Sequence, residues 1–502
     1  MSATPRLLIR DGSSLLNPIS PSTITYIDGV FEGGGALGAA YIGVLTALRS
    51  NNIWFKRVAG NSAGAIVASL IAAGYTEDEL AYLSAPAGSR NKPASLPQQR
   101  KPIDFMSFID APKIETSTRR ETILWQALNG TVLDVLGETT LPLPTRRKVV
   151  DPLIKTIGSI PGYTLLAQSI QTAIEQAITK SLSILPQKQP QLKQYLPSTK
   201  AARAQLADRL WDGFVSTTSD YLKVVNLLYE GGLCEGSVFQ QTIESLLREK
   251  LQPQHSGPVR FSDLKMDLAI IASDTTSHEM LVYSTKTHGS MSVAEAVRRS
   301  MSIPFLFQPR LNTNTRQQPS HEIMDGGLSS NYPYWIFSNA GANFMDFTPA
   351  DQQRPKLGFL FDHTLDAPRQ WGVQPAKWLE NGRAIDPGAW RALGETFNLP
   401  INQDLPSLRI LHRMLNVIET IDTKEKNLRK ATASALVAGL PYHEVTIPLK
   451  GYHWLDFKVN TNKNHFFAMA DRGWLAALDL LDTAGLRRLP IPASRPYHLP
   501  SQ

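Results

Sequence analysis

Between residues 23 and 74 the chain twice runs from a strand through a glycine turn into a helix. Residues 23–31 (TITYIDGVF) are rich in β-branched and aromatic side chains and predict a strand. The turn GGGALG at 33–38 follows, and residues 39–49 have helical composition. A second short strand is predicted at 55–60 and a small-residue helix at 63–73, which Gly74 stops as a C-terminal glycine. A strand that feeds straight into a helix can rejoin its neighbour only by a crossover. Two such units in succession therefore predict an α/β fold around a mainly parallel sheet.

The chain is 502 residues long, too many for a single compact core, so two or three packed units or one core with a large insertion are expected. One cysteine, Cys234, excludes an intrachain disulfide and any cysteine-rich metal site. The first residues lack a basic stretch followed by an apolar one, so a standard secretory signal is not expected. No run of 18 apolar residues is present, so contact with lipid would be from the surface.

Residues 90–203 break the α/β rhythm with Pro- and Gln-rich clusters, and they read as a mostly helical insertion. They hold 16 Lys/Arg against 8 Asp/Glu, whereas the whole chain is only +7. A solvated segment and a surface drawn to anionic lipid headgroups both fit that excess. Nucleic acid fits less well, because no aromatics are interleaved for base stacking. Within the insertion, Leu166, Ile170, Ile174, Ile178 and Leu182 recur at helical spacing and predict an amphipathic helix over 163–185.

After the insertion the alternation returns. A helix is predicted at 238–251, strands at 266–273 and 280–284, and a helix opened by a Ser292/Glu295 capping box and running through Arg299. Further strands are predicted at 356–362 and 443–449, with a last helix at 466–481. The expected organisation is an arm at 1–22 and a catalytic unit at 23–345 interrupted by 90–203. A part at 346–485 completes or caps that unit, and a Pro-rich tail follows at 486–502.

Three segments carry chemistry. Gly60-Asn61-Ser62-Ala63-Gly64 fits the G-x-S-x-G elbow, a sharp strand-to-helix turn that lifts a serine hydroxyl to a helix N-terminus. The run Gly33-Gly34-Gly35-Ala36-Leu37-Gly38 has two readings. As G-x-G-x-x-G it is a dinucleotide fingerprint, but the zone where an acidic ribose ligand belongs is WFKRV, with a basic pair that could suit only a 2′-phosphate. As successive glycines it exposes backbone N–H groups to a developing oxyanion. Asp325-Gly326-Gly327 alone is a turn signal, but it gains meaning from the other two.

GGGALGAAYIGVL, GNSAGAIVASLIAAG and MDGGLSSNYP together resemble, in order, the three signatures of patatin-like phospholipases. LAIIASDTTSHEMLVYST and AVRRSMSIPFLFQP, with Ser300 and Pro304, agree. The resemblance covers roughly residues 23–85 and 232–345 and implies a patatin-like three-layer α/β sandwich. It implies a lipid acyl-hydrolase with Ser62 as nucleophile, Asp325 as proton acceptor, and the amides of Gly34, Gly35 and Ala36 as oxyanion hole. Gly33, Gly38, Gly60, Gly64, Gly326 and Gly327 would shape the three turns. No cofactor or metal is implied. The expected partners are a phospholipid or other acyl ester, with an activator protein left open. The expected location is the cytoplasm or a membrane surface, with non-classical export as an effector left open. Leu37 departs from the family, which usually carries Arg or Lys there. Two other readings stand beside this one: a silent lipid-binding module of the same fold, and a Ser-His-Asp hydrolase using His363, His443 or His453.

Overall fold

The computed structural model describes residues 24–110, 230–251, 257–312, 321–362, 442–453 and 456–490, with a few isolated positions between and beyond them. The expected amphipathic helix at 163–185 and most of the basic insertion lie outside the described residues, as does the arm at 1–22.

Strand β1 (Thr25–Phe31) leads through a 3-10 turn (Gly35–Ala39) into α1 (Ala40–Ser50). Strand β2 (Ile53–Asn61) leads into α2 (Ala63–Ala73), which ends on Gly74 at φ 97°. Helix α3 (Glu77–Ser84) comes next, opened by a reciprocal capping box between Thr76 and Glu79. Beyond the insertion come β3 (Gly232–Cys234), α4 (Ser237–Leu251), β4 (Asp267–Asp274), β5 (Glu279–Ser284) and α5 (Val293–Ser300). Strands β6 (Phe305–Phe307), β7 (Arg310–Asn312) and β8 (His321–Asp325) precede the short α6 (Pro349–Gln353) and β9 (Lys356–Asp362). The described chain closes with β10 (Arg369–Gln370), β11 (Tyr442–Pro448) and α7 (Lys463–Thr483).

The start of α5 differs in detail from the sequence expectation. Ser292 caps the helix by accepting from the Glu295 N–H, but the Glu295 carboxylate turns to Arg299 and Arg310 instead of completing a box. Charge-assisted bonds to two guanidinium groups outcompete one backbone amide.

The main sheet runs β10-β11-β9-β1-β2-β4-β8-β7, with β5 also on β4. Its centre, β11-β9-β1-β2-β4, is parallel throughout. Side chains alternate across it with the strand period of two. Along β4, Leu268, Ile270 and Ala272 join the helical side of the core, while Ala269 and Ile271 join the other. Helices α1, α2, α5 and α7 cover the first face. The second is covered by Tyr332–Phe337 and Met345, in 3-10 turns rather than α-helix. The result is three layers. Fully buried Trp335 and nearly buried Trp474 anchor the two outer layers, each such side chain contributing about 2–3 kcal/mol of burial.

Two features position the site. Strands β9 and β11 enter the sheet beside β1, and α7 packs along α1, so these described C-terminal elements are built into the same core. On β4, strand β2 pairs with residues 267–271 and β8, running oppositely, with residues 272–274. Asn61 sits opposite Ile271 and Asp325 opposite Ala272. The two strands therefore meet end to end along β4, and the turns that leave them, at Ser62 and at Gly326, are brought face to face.

Candidate active site

Ser62 comes directly after β2 at φ 52°, ψ −121°, a left-handed conformation that a non-glycine residue adopts at a cost of about 1–3 kcal/mol. Its neighbours permit that turn by having no side chain. A β-carbon on Gly60 would lie 2.4 Å from the backbone of Gly64, and one on Gly64 would lie 2.2 Å from the Phe31 carbonyl. The strain is held from outside. The Ser62 N–H donates to Ser300 Oγ at 2.8 Å, and Ser300 Oγ donates to Asn61 Oδ1 at 3.1 Å. The Ser62 hydroxyl is buried and lies 3.1 Å from Met301 Sδ. It sits at the N-terminus of α2, where the helix dipole favours developing negative charge.

Asp325 ends β8, and its N–H is fixed by the Ser302 carbonyl at 3.0 Å. Its Oδ1 accepts from the Gly327 N–H at 2.7 Å and, more loosely, from Asn61 Nδ2 at 3.4 Å. Its Oδ2 is buried and accepts no hydrogen bond of good geometry; the Ser62 hydroxyl is near enough to favour the charged form but is turned to the Met301 sulfur. Burial pushes the carboxyl up to about 6, against the Gly327 amide, the Ser62 hydroxyl and the Asn61 amide, all of which favour the charged form. A carboxylate at that level is a far better base near neutrality than an ordinary aspartate.

The glycine loop lies over this pair. Positions for a β-carbon on Gly33 and Gly38 fall 3.1 Å from Ser62 Cβ and 3.4 Å from Ala63 Cβ. Gly34 caps the 3-10 turn, so the amides of Gly34, Gly35 and Ala36 come before any intrahelical acceptor, as the first N–H groups of a helical turn do. Leu37, where the family usually has a cation, is 1% exposed and belongs to the apolar core. Phe361 packs against Gly34 and against Tyr41.

The structure thus brings together Ser62, Asp325 and the 33–38 loop, with Gly60, Gly64, Gly326 and Gly327 in the turns that carry them. It does not bring His443 to them. His443 lies on β11, separated from β2 by β9 and β1, and burial holds its imidazole below the ordinary value. Neither Ser62 nor Asp325 has a histidine partner among the described residues, and His363 lies outside them. Of the basic pair that could have met a 2′-phosphate, Arg57 is 2% exposed and paired with Asp28, while Lys56 is exposed. Sequence reasoning passes over Asn61, Met301 and the reach of Asn331. Asn61 occupies a variable position of the elbow pattern, and Asn331 is visible only as part of a signature. Among the described residues, no group of three or more His, Cys, Asp or Glu is placed to hold a metal ion.

The model of patatin-like phospholipases matches residues 29–338. The uncharacterized protein YqhO of Bacillus subtilis (strain 168) is 27% identical over 362 residues, which is 68% of this chain and 81% of that protein. The uncharacterized protein R571 of Acanthamoeba polyphaga mimivirus is 26% identical over 194 residues, 38% of this chain and 61% of that one. Among solved structures, VipD from Legionella pneumophila aligns with a TM-score of 0.36 at 15% identity, covering 91% of this chain and 67% of VipD. ExoU of Pseudomonas aeruginosa, solved with SpcU, aligns at 0.24 and 14%, covering 92% and 60%. With the family model spanning well over half of its length, the chain belongs to the patatin-like phospholipase family.

Proposed function

We propose that the protein is a lipid acyl-hydrolase, of phospholipase A or lysophospholipase type, working through a Ser62–Asp325 dyad. One observation carries this reading: a strained serine and a buried carboxylate with a raised pKa and an unpartnered oxygen, joined at the ends of β2 and β8. The Ser62 hydroxyl turns from the Met301 sulfur to Asp325 Oδ2 and gives up its proton there as Oγ attacks the ester carbonyl carbon. The oxyanion forms against the amides of Gly34, Gly35 and Ala36. The ester C–O bond then breaks, Asp325 returns the proton to the leaving alcohol or lyso-lipid, and an acyl-Ser62 ester remains. Asp325 next takes a proton from water, the hydroxide adds to the acyl carbon, and collapse breaks the bond to Oγ and frees the fatty acid as Asp325 returns the proton to Ser62 Oγ. The scheme asks for no metal or organic cofactor.

The substrate is met from a membrane surface in this reading. Among the described residues no helix is long and apolar enough to cross a bilayer. The test is hydrolysis of a short fluorogenic ester and of phospholipid vesicles by wild type and Ser62→Ala. The expected outcome is a loss of about 10⁶ in kcat with little change in melting temperature. Retained activity would place the nucleophile elsewhere. A wild type that binds vesicles yet cleaves neither substrate would make the protein a silent lipid-binding module.

A further inference from the structure

We propose that the side-chain amides of Asn61 and Asn331 form a positioning pair that holds the serine elbow, the carboxylate turn and the glycine loop in one register; the inference rests on the Ser62–Asp325 reading. Asn61 is the last residue of β2 and is fully buried. Its Oδ1 accepts from Ser300 Oγ, the same oxygen that accepts the Ser62 N–H. Its two Nδ2 hydrogens are directed to Asn331 Oδ1 at 3.0 Å and to Asp325 Oδ1 at 3.4 Å. Asn331 continues the chain. Its Nδ2 donates to Glu32 Oε1 at 3.0 Å and to the Gly33 carbonyl at 3.1 Å, and its own carbonyl accepts the Gly33 N–H at 3.0 Å. Glu32 Oε2 in turn accepts the Phe361 N–H at 2.6 Å, which ties the loop to β9.

The motif glycines give a second, independent indication. A β-carbon on Gly33 would lie 2.4 Å from Asn331 Oδ1 and 2.5 Å from Asn61 Nδ2, and one on Gly326 would lie 2.3 Å from Asn61 Oδ1. Glycines of two different motifs are bare toward the same pair of amides. The physical need is plain. Oxyanion donors act only when placed before the charge develops, and a misplacement of about 1 Å can cost on the order of 10²-fold. A loop of glycines has no side chains with which to anchor itself, and Leu37 is committed to the core. Its position must come from a group outside it, and the donors of the Asn331 amide supply that. The full use of the Asn61 amide fixes the pair against the elbow and the base.

The experiment uses the full chain with Asn61→Ala, Asn331→Ala and the double variant on a soluble short ester, with Ser62→Ala alongside. Each single variant is expected to lose about 10² in kcat with KM changed less than about threefold. The double variant should lose little more than either single, because the pair acts as a unit. The pH profile adds a readout that mere loosening of the fold would not move. Asn61 donates to Asp325, and among the described residues no charged side chain acts on that carboxyl. Asn61→Ala should therefore raise the acid limb, whereas Asn331→Ala should leave it in place. Should an alanine variant fail to fold, Asn61→Asp keeps the size and the acceptor for Ser300 and removes both donors, and the same loss in kcat is expected. Losses that multiply in the double variant, or kcat within twofold of wild type with an unmoved limb, would overturn the pairing. An active Ser62→Ala would sink the dyad instead, so the two failures are distinguishable.

Discussion

Two buried aspartates, at different places in the same sheet, are treated in opposite ways. Asp28, in the middle of β1, is fully buried and saturated. Arg57 Nε and Nη2 reach its two oxygens at 3.0 and 2.5 Å, and Arg354 adds a bond at 3.0 Å. Arg354 also pairs with Asp351 at 2.7 Å, and the Thr348 and Arg354 bonds hold the Asp351 carboxyl well below its ordinary range. Asp325, at the end of β8, is nearly as buried but is given no cation, and one of its oxygens is unpartnered. The first arrangement balances desolvation with charge and ties β1 to β2 and to the turn that precedes β9. The second leaves the desolvation cost standing, and that cost is what raises the pKa to about 6. Burial by itself therefore says nothing about role; the partners decide whether a buried carboxylate serves as scaffold or as base.

The comparison is most sharply tested by Asp325→Asn. Activity on a short ester should fall nearly as far as in Ser62→Ala, by about 10⁶ in kcat, because the dyad has no second base. Stability should move the other way. The folded carboxyl titrates near 6 and the unfolded one near 3.8. Between those values the folded state holds more protons, so stability falls as pH rises through about 6. At pH 7 the Asn variant should therefore exceed wild type by about 3 kcal/mol in urea unfolding, with the gap closing toward pH 4. Equal stability at both pH values would mean that Asp325 is no more strained than Asp28.

Arg57→Ala tests the other pole. Removing the main partner of a fully buried carboxylate should cost about 3–5 kcal/mol, read as a lower urea midpoint, while kcat per folded molecule stays near wild type. A selective loss of kcat would show that the two regions are not separable. Next in size is the pH dependence. The acid limb of kcat/KM should bend near 6 and fall about tenfold per pH unit below it; a limb near 4 would return Asp325 to ordinary behaviour. Smallest of all should be the effects of His443→Ala and His453→Ala, each within about twofold in kcat. A collapse in either, with Asp325→Asn still active, would hand the base to a histidine.

The sequence by itself settled what is local. Gly60, Ser62 and Gly64 dictate an elbow because only that pattern tolerates the backbone contact behind it. Gly74 stops α2, and two strand–turn–helix units in a row commit the chain to a parallel centre. The order of the three motifs was enough for the family. Local spacing alone did not settle the capping boxes: the one expected at Ser292 and Glu295 stays half-made, while Thr76 and Glu79 close one at α3.

Tertiary structure decided what depends on residues far apart in the chain. That β2 and β8 end against each other on β4 is a pairing of residues 61 and 325, and no local preference encodes it. The pKa of Asp325 is set by burial against elements hundreds of residues away. Asn61 looks like a filler in its motif until Asn331 is seen beside it. Strands β9 and β11 and helix α7 lie largely beyond the segments that resemble the family, yet they complete the core beside β1 and α1. A propensity is a property of a few adjacent residues, whereas a desolvated carboxylate and a shared amide exist only once the chain has closed on itself.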